Sequence, residues 1–325
     1  MNEKPSQHPL ENLTTSSLSE PQSKVMDLHN KKLAKVVCCP DCKQQALKTD
    51  QQAIKCDACG QSYAMLLDTP ILIKQDSPVL EWYKPTLDSS SSGGVWGILM
   101  NFYWRLRPEV RVWTKRSQEA LQKLIQEVNP DVDDAYVVLI GTGFESVYKR
   151  ILKPYRDIIR IGLASRGDVD LFCDVCDIPL FTQSLDLILS SSVLEHVYDP
   201  ERAVQEMFRA LKPGGHVYAE IPFMRAFHMI PVDYQRYTIS GIEELFKRHG
   251  FKMVDKGICS GPFTASVLFF IDFFSSLFSF NKYIKAGVTL ILSIVFHPIK
   301  YLDRFAENAA WAEINACNFY YIGKK

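Results

Sequence analysis

The stretch Ser184–Pro222, SLDLILSSSVLEHVYDPERAVQEMFRALKPGGHVYAEIP, constrains the fold more than any other part of this chain. Leu185 to Ser190 is a short apolar run, the signature of a parallel strand covered on both faces. Val204, Met207, Phe208 and Leu211 then recur at the i, i+3, i+4, i+7 spacing of one helical face. Pro213 with Gly214-Gly215 stops that helix, and His216 to Ile221 reads as a second buried strand. Strand, helix and strand in this order make a β-α-β crossover, which predicts an open, doubly wound α/β sheet.

The flanking sequence extends the alternation. A helix is predicted over Glu119–Val128, ended by Asn129-Pro130, then a strand over Tyr136–Ile140 and a helix near Ser146–Leu152. A strand over Asp157–Leu163 follows, and beyond the crossover a helix over Ser240–Arg248, a strand over Phe251–Gly257 and a last strand from Asn318. Ahead of this α/β domain (117–325) stand a polar tail (1–30), a cysteine-bearing unit (36–73) and a linker (74–116). The tail lacks an apolar core, so it reads as disordered and not as a signal peptide. The linker holds Asp88-Ser89-Ser90-Ser91-Ser92-Gly93-Gly94, a flexible joint, and the aromatic stretch Trp96–Trp113, expected to dock as a helix. Lys+Arg and Asp+Glu both number 37 among 325 residues, so no net field draws the chain to nucleic acid or to acidic lipid.

Cys39-Pro-Asp-Cys42 and Cys56-Asp-Ala-Cys59-Gly60 stand thirteen residues apart. Two Cys-x-x-Cys turns joined by a hairpin-length segment suit one tetrahedral ion, with Cys39, Cys42, Cys56 and Cys59 as ligands of a closed, structural zinc site. Cys38 competes with Cys39, which is preferred because it gives the two-residue gap. Cys173 and Cys176 form a lone pair and read as buried thiols. With Tyr63-Ala-Met-Leu-Leu and Pro70-Ile-Leu-Ile, this unit resembles zinc ribbons of the small activator family for tRNA and protein methyltransferases.

The phrases VLEHV-x-DP and LKPGG, placed as they are, closely resemble the class I S-adenosylmethionine-dependent methyltransferases, in particular the type 11 group. The resemblance covers about residues 117–260 and implies a Rossmann-like sheet and S-adenosyl-L-methionine as cofactor. It implies cofactor contacts at Gly141, Thr142 and Gly143, where the first strand enters a glycine turn, at Asp174 and Val175, with the carboxylate on the adenine amino group, and at Ser191. Leu139 stands where the family has an acid and Glu145 where it has a third glycine. Gly162 aligns with the ribose-binding acid, leaving Asp168 or Asp170 as substitutes. Glu195 and His196 belong to the family phrase and are expected to shape the site. The acceptor is expected against the loop after the fifth strand, with His228, Asp233, Arg236 and Tyr237 as candidates.

From 263 to 302 the chain turns very hydrophobic, with Asp272 the only charge in Val267–Phe280. A helical lid, an interfacial membrane contact and a spanning hairpin all remain open. Each of the first two points to a small or lipid-linked acceptor and a cytoplasmic protein, in the second case peripheral to the inner face of a membrane. RNA methylation is disfavoured by the neutral charge and the lack of an Asn/Asp-Pro-Pro-aromatic motif. A catalytically silent scaffold is the alternative that Leu139, Glu145 and Gly162 suggest.

Overall fold

The computed structural model describes residues 24–25, 30–50, 53–66, 68–81, 108, 111–128, 135–141, 151–152, 158–163, 169–227 and 232–325. Seven strands form the main sheet: β6 (Val137–Ile140), β7 (Ile159–Gly162), β8 (Leu171–Phe172), β9 (Leu185–Ser191), β10 (Leu211–Pro222), β11 (Lys252–Ser260) and β12 (Asn318–Lys324). Their spatial order is β11-β12-β10-β9-β6-β7-β8. Strands β6 to β10 pair in parallel, and β12 lies antiparallel between β10 and β11. The chain steps outward in one direction through β7 and β8, then crosses back to β9 beside β6. That reversal is the switch point of a doubly wound sheet, beside which ligands bind at the carboxyl ends of the strands.

The crossover folds as its pattern demands. Strand β9 buries Leu187 and Leu189 on one face and Ile188 on the other. The helix Pro200–Ala210 is capped by Asp199, whose side chain accepts from the Arg202 amide, and it buries Ala203, Val204, Met207 and Ala210. Leu211, expected on that helix, already begins β10. The Lys-Pro-Gly-Gly segment is a register break between Leu211 and His216 within β10. It is closed by the end of the chain, where Gly214 N donates to Lys325 O at 3.0 Å and Lys325 N to Gly215 O at 2.9 Å. The helices α2 (Lys115–Val128) and α4 (Ile239–Arg248), which flank the crossover helix α3 (Pro200–Ala210) in the chain, match their expected positions to within a turn.

The N-terminal unit is a smaller antiparallel sheet of β1 (Lys24–Val25), β2 (Leu47–Asp50), β3 (Ala53–Cys56), β4 (Ser62–Leu66) and β5 (Thr69–Pro70), in that order. Its first helix, α1 (Lys31–Val36), starts at Asn30, whose side-chain oxygen accepts from the Lys32 and Leu33 amides. The end of the supposedly disordered tail is therefore ordered: β1 pairs with β2, and Asn30 is buried. Residues 1–23 and the Ser/Gly joint lie outside the described residues.

The unit is built into the main sheet rather than tethered to it. Ile71 forms a parallel bridge with Phe172, and Leu72 N donates to Phe172 O at 2.9 Å, so the exposed edge of β8 is closed. Val37 bridges Leu180 on the other side of the contact. Leu33, Val36, Ile54 and Leu72 belong to the same apolar cluster as Val138, Ile140 and Ile159. Each fully buried aliphatic side chain stabilises by about 1.5–3 kcal/mol, so this seam is a substantial part of the fold. Asp177 pins it further, bound by Lys43 at 2.6 Å, by Lys74, and by Arg202 at 3.0 Å. Burial alone would raise this carboxyl, but the Lys43 and Lys74 hydrogen bonds outweigh it and hold Asp177 below the ordinary range.

Of the aromatic stretch Trp96–Trp113, only Pro108 and Arg111 to Trp113 are described, and these residues are not in a helix; the rest of the expected docking helix lies outside the described residues. Thr114 joins the segment 111–114 to β11, its amide donating to Cys259 O at 2.8 Å and its hydroxyl to Ile258 O at 2.7 Å, while Trp113 is buried. Between β11 and β12 the chain inserts two apolar helices, Pro262–Ser276 and Lys282–Phe296, then a 3-10 turn at His297–Leu302 and a short helix at Asp303–Ala306.

Candidate functional site

The carboxyl ends of β6 to β11 line one edge of the sheet, and the residues that carry chemistry gather there. Gly141 ends β6 at φ +85°, and a Cβ at this position would stand 2.7 Å from Val193 Cγ2. Only glycine fits both the backbone angle and the gap. Gly162 ends β7 at φ +153°, again a conformation an L side chain rarely adopts, with its Cβ position 3.5 Å from the Gly141 amide nitrogen. This position therefore does not suit a ribose-binding carboxylate. Asp170 does not substitute for it: its carboxylate accepts from the Arg160 amide at 2.7 Å and from Asn30 Nδ2 at 3.3 Å, at the start of β8 and away from the carboxyl edge. Leu139 packs against the second apolar core. Thr142, Gly143, Glu145 and Asp168 lie outside the described residues.

Asp174 follows β8 and is buried, as is Val175 beside it. Its Oδ1 accepts from the Cys176 amide at 2.9 Å. Its Oδ2 accepts from Ser77 Oγ at 2.6 Å and Tyr198 OH at 3.2 Å. An ionised carboxylate offers about four acceptor positions, so Oδ1 keeps one for a further donor such as an exocyclic amine. Ser77 and Tyr198 were not singled out in the sequence, because they reach Asp174 from 97 and 24 residues away.

A buried polar network occupies the next stretch of the edge. Glu220 accepts from Ser191 Oγ, from Tyr218 OH at 3.1 Å and from Cys259 Sγ at 2.9 Å, with Arg111 Nη1 3.9 Å away. Burial pushes the Glu220 carboxyl up, and Arg111 draws it back. Arg111 also donates to Ser192 Oγ at 3.1 Å and, in the amide orientation that satisfies both ends of Asn318, to the Asn318 oxygen at 2.8 Å. The Ser191 hydroxyl is thus committed to Glu220, and its carbonyl is the part that faces Gly141. A single acid inside the otherwise apolar run His216–Ile221 was the available signal for Glu220.

Glu195 lies in the 3-10 turn Leu194–His196 after β9, is fully buried, and has no hydrogen-bond partner for either carboxylate oxygen among the described residues. Burial pushes its pKa up to about 8, against the pull of Arg111 and Arg236. The sign of the linkage follows: stability is complete below the unfolded value near 4.5 and is lost as pH rises through about 8. Glu195→Gln is therefore expected to remove a pH slope of a few kcal/mol, stabilising the chain at pH ~9 relative to wild type far more than at pH ~5. Paired urea unfolding curves at the two pH values measure this, and equal differences at both would contradict it.

Two of the acceptor candidates, Asp233 and Arg236, bond to each other. Arg236 forms a two-pronged pair with the buried Asp233 carboxylate, with Nη2 to Oδ2 at 2.6 Å. Gln235 Nε2 donates to Leu194 O at 2.7 Å and Val197 O at 2.9 Å, and His196 Nδ1 bonds Val232 O, so the 232–237 segment is stapled to the Glu195 turn. Tyr237 packs on the main core, and burial pushes its phenol up to about 12. His228 lies outside the described residues.

In the N-terminal unit, the Sγ atoms of Cys39, Cys42, Cys56 and Cys59 all lie within 4.8 Å of one another. Cys39–Cys59 and Cys42–Cys56 are each separated by 3.6 Å, close to the ~3.8 Å edge of a tetrahedron with 2.3 Å metal–sulfur bonds. The four thiols fit zinc. Cys38 is excluded from the group, its backbone tied to Pro179 O at 2.9 Å. Among the described residues no second such group occurs, and Cys173 and Cys176 are buried free thiols.

Residues 163–219 match the family model for a methyltransferase domain. A stretch of 88 residues is 27% identical to a Mycolicibacterium smegmatis protein named "Probable S-adenosylmethionine-dependent methyltransferase", covering 25% of this chain and 34% of that protein. The chain thus matches about a third of the length of that curated relative. Among solved structures, phosphoethanolamine N-methyltransferase 2 of Haemonchus contortus aligns at 16% identity and TM-score 0.43, over 74% of this chain and 59% of that one. A Mesorhizobium loti S-adenosylmethionine-dependent methyltransferase aligns at 15% identity and TM-score 0.38, over 64% and 96%. The strand order, not these scores, fixes the fold.

Proposed function

We propose that the chain is an S-adenosylmethionine-dependent methyltransferase acting on a small or lipid-linked acceptor. The observation that carries this reading is the glycine-only close approach at Gly141, set at the switch point of a doubly wound sheet within which residues 163–219 match a methyltransferase domain. Gly141 would admit the cofactor backbone-first, and Asp174 Oδ1 would accept its adenine amine, oriented by Ser77 and Tyr198. When bound, the cofactor supplies an electrophilic methyl group on a sulfonium, and in-line alignment of the acceptor is the main requirement. The Arg236–Asp233 pair and the Gln235 staple hold the wall of the acceptor side in place. Glu195, buried and keeping its proton near neutral pH, is not placed to act as a base there. The four thiols would hold a structural zinc ion, remote from the chemistry in role but joined to it through Ser77 and Asp177.

Incubation with methyl-tritiated cofactor and a total lipid extract tests the reading. Label is expected in the organic phase with wild type and, at about micromolar cofactor, roughly 10- to 100-fold less with Asp174→Ala. Cofactor binding without transfer to any lipid or small-molecule fraction would favour a silent scaffold.

A further inference from the structure

We propose that the two inserted helices, α5 (Pro262–Ser276) and α6 (Lys282–Phe296), form a hairpin that lies flat in the interfacial layer of a phospholipid bilayer. All but four of the exposed large hydrophobic side chains among the described residues fall between Phe269 and Ile314. Helix α5 buries Leu268, Ile271 and Ser275 on one face and exposes Phe269, Phe270, Phe273 and Phe274 on the other. Helix α6 buries only Ser293, and its outer face is Ile284, Ile291, Ile294 and Val295. A helix on a water-exposed surface carries polar residues on that face. A contiguous apolar surface of this kind marks an interaction site.

The distribution of the remaining residues favours lipid over a protein partner. No charged residue occurs between Lys285 and Lys300. Basic and aromatic residues pair at the two ends instead: Lys282 stands over the Tyr283 ring at 5.2 Å, and Arg304 over the Tyr301 ring at 5.2 Å. An apolar middle flanked by aromatic rings and cations is the pattern of a lipid-facing helix, and the cations suit anionic headgroups.

The ends of the insertion bear on its orientation. The Asp303 carboxylate accepts from the amides of Gly261, Phe263 and Thr264 at 3.1, 2.8 and 3.1 Å, and Ser260 pairs with Asn318 across β11 and β12. The chain thus leaves and re-enters the domain at one point. Lys282–Ala306 is a helical stretch long and apolar enough to cross a membrane, but its last part is tied down by Asp303. Each 15-residue helix reaches only ~22 Å, short of the ~30 Å hydrocarbon core. The buried face of α5 is held against Cys317 and Met224. The hairpin lies on the membrane rather than through it. Because β11 runs parallel to β10, the insertion leaves from the carboxyl edge, which faces the bilayer. An amphiphilic acceptor would present its head to that edge with its tail in lipid, a step that rests on the methyltransferase reading. Membrane binding itself does not.

Flotation of the full chain with phosphatidylethanolamine–phosphatidylglycerol vesicles tests the proposal. Wild type is expected to float, and to stay with the vesicles in about 1 M salt, where exposed charge pairs are screened. The Phe273→Asp, Ile291→Asp double variant is expected to partition at least ~10-fold less, with unchanged circular dichroism, since both side chains are exposed at 62%. Wild type that stays below the vesicles as an oligomer broken by the double variant would overturn the proposal in favour of a second copy of the chain. Labelling of Tyr283→Cys only from the far side of sealed vesicles would overturn the flat placement.

Discussion

Cys56→Ser is expected to reduce bound zinc from one equivalent to about a tenth or less, and to lower the thermal midpoint by more than ~10 °C. Cys56 is fully buried, and the turn it anchors carries β3, whose Ile54 shares the core of the main sheet. Structural zinc sites contribute an apparent ~10–16 kcal/mol in small domains, so a three-thiolate remnant leaves the ribbon without its principal constraint. Loss of the ribbon would reopen the edge of β8 at Phe172 and release Ser77 from Asp174. Cofactor affinity should therefore fall with the metal. Cys38→Ser is the control: Cys38 lies outside the thiol group, and zinc should stay at one equivalent. Metal analysis of both variants decides the ligand set, and a Cys56→Ser protein with full zinc would refute it.

Gly141→Ala is expected to weaken cofactor binding at least tenfold. Its methyl group would meet Val193 Cγ2 at 2.7 Å, and its φ of +85° costs an L residue about 1–2 kcal/mol. The two penalties separate. Adding Val193→Ala removes the clash but not the backbone strain, so the double variant should recover part of the affinity and not all of it. Full recovery would show that the angle is tolerated, and no recovery that the loop has moved elsewhere.

What the sequence revealed was local. The crossover from Leu185 to Ile221 could be read because strand burial, helix periodicity and the glycine break all lie within forty residues. The thiol group was legible for the same reason. What the sequence hid was long-range. Asn30 meets Ile158 and Asp170 across 128 and 140 residues, and Ser77 meets Asp174 across 97. No periodicity reports such contacts. Asp170 looked free to bind a ribose, whereas it bridges Asn30 and the Arg160 amide. Gly162 looked like a missing acid, whereas its φ of +153° favours glycine. Asp233 and Arg236 looked like acceptor ligands because charge in a loop suggests binding, yet they satisfy each other. Arg111 sat unnoticed in an aromatic stretch, and only the fold brings it to Glu220.

The most direct test of the central claim is a calorimetric titration of the zinc-loaded chain with S-adenosylmethionine and S-adenosylhomocysteine. Binding at about micromolar Kd is expected for both, weakened roughly 10- to 100-fold by Asp174→Ala, the loss of one charge-assisted hydrogen bond. No heat from either ligand at about millimolar concentration, with zinc and fold intact, would contradict it and leave the sheet a scaffold without a cofactor.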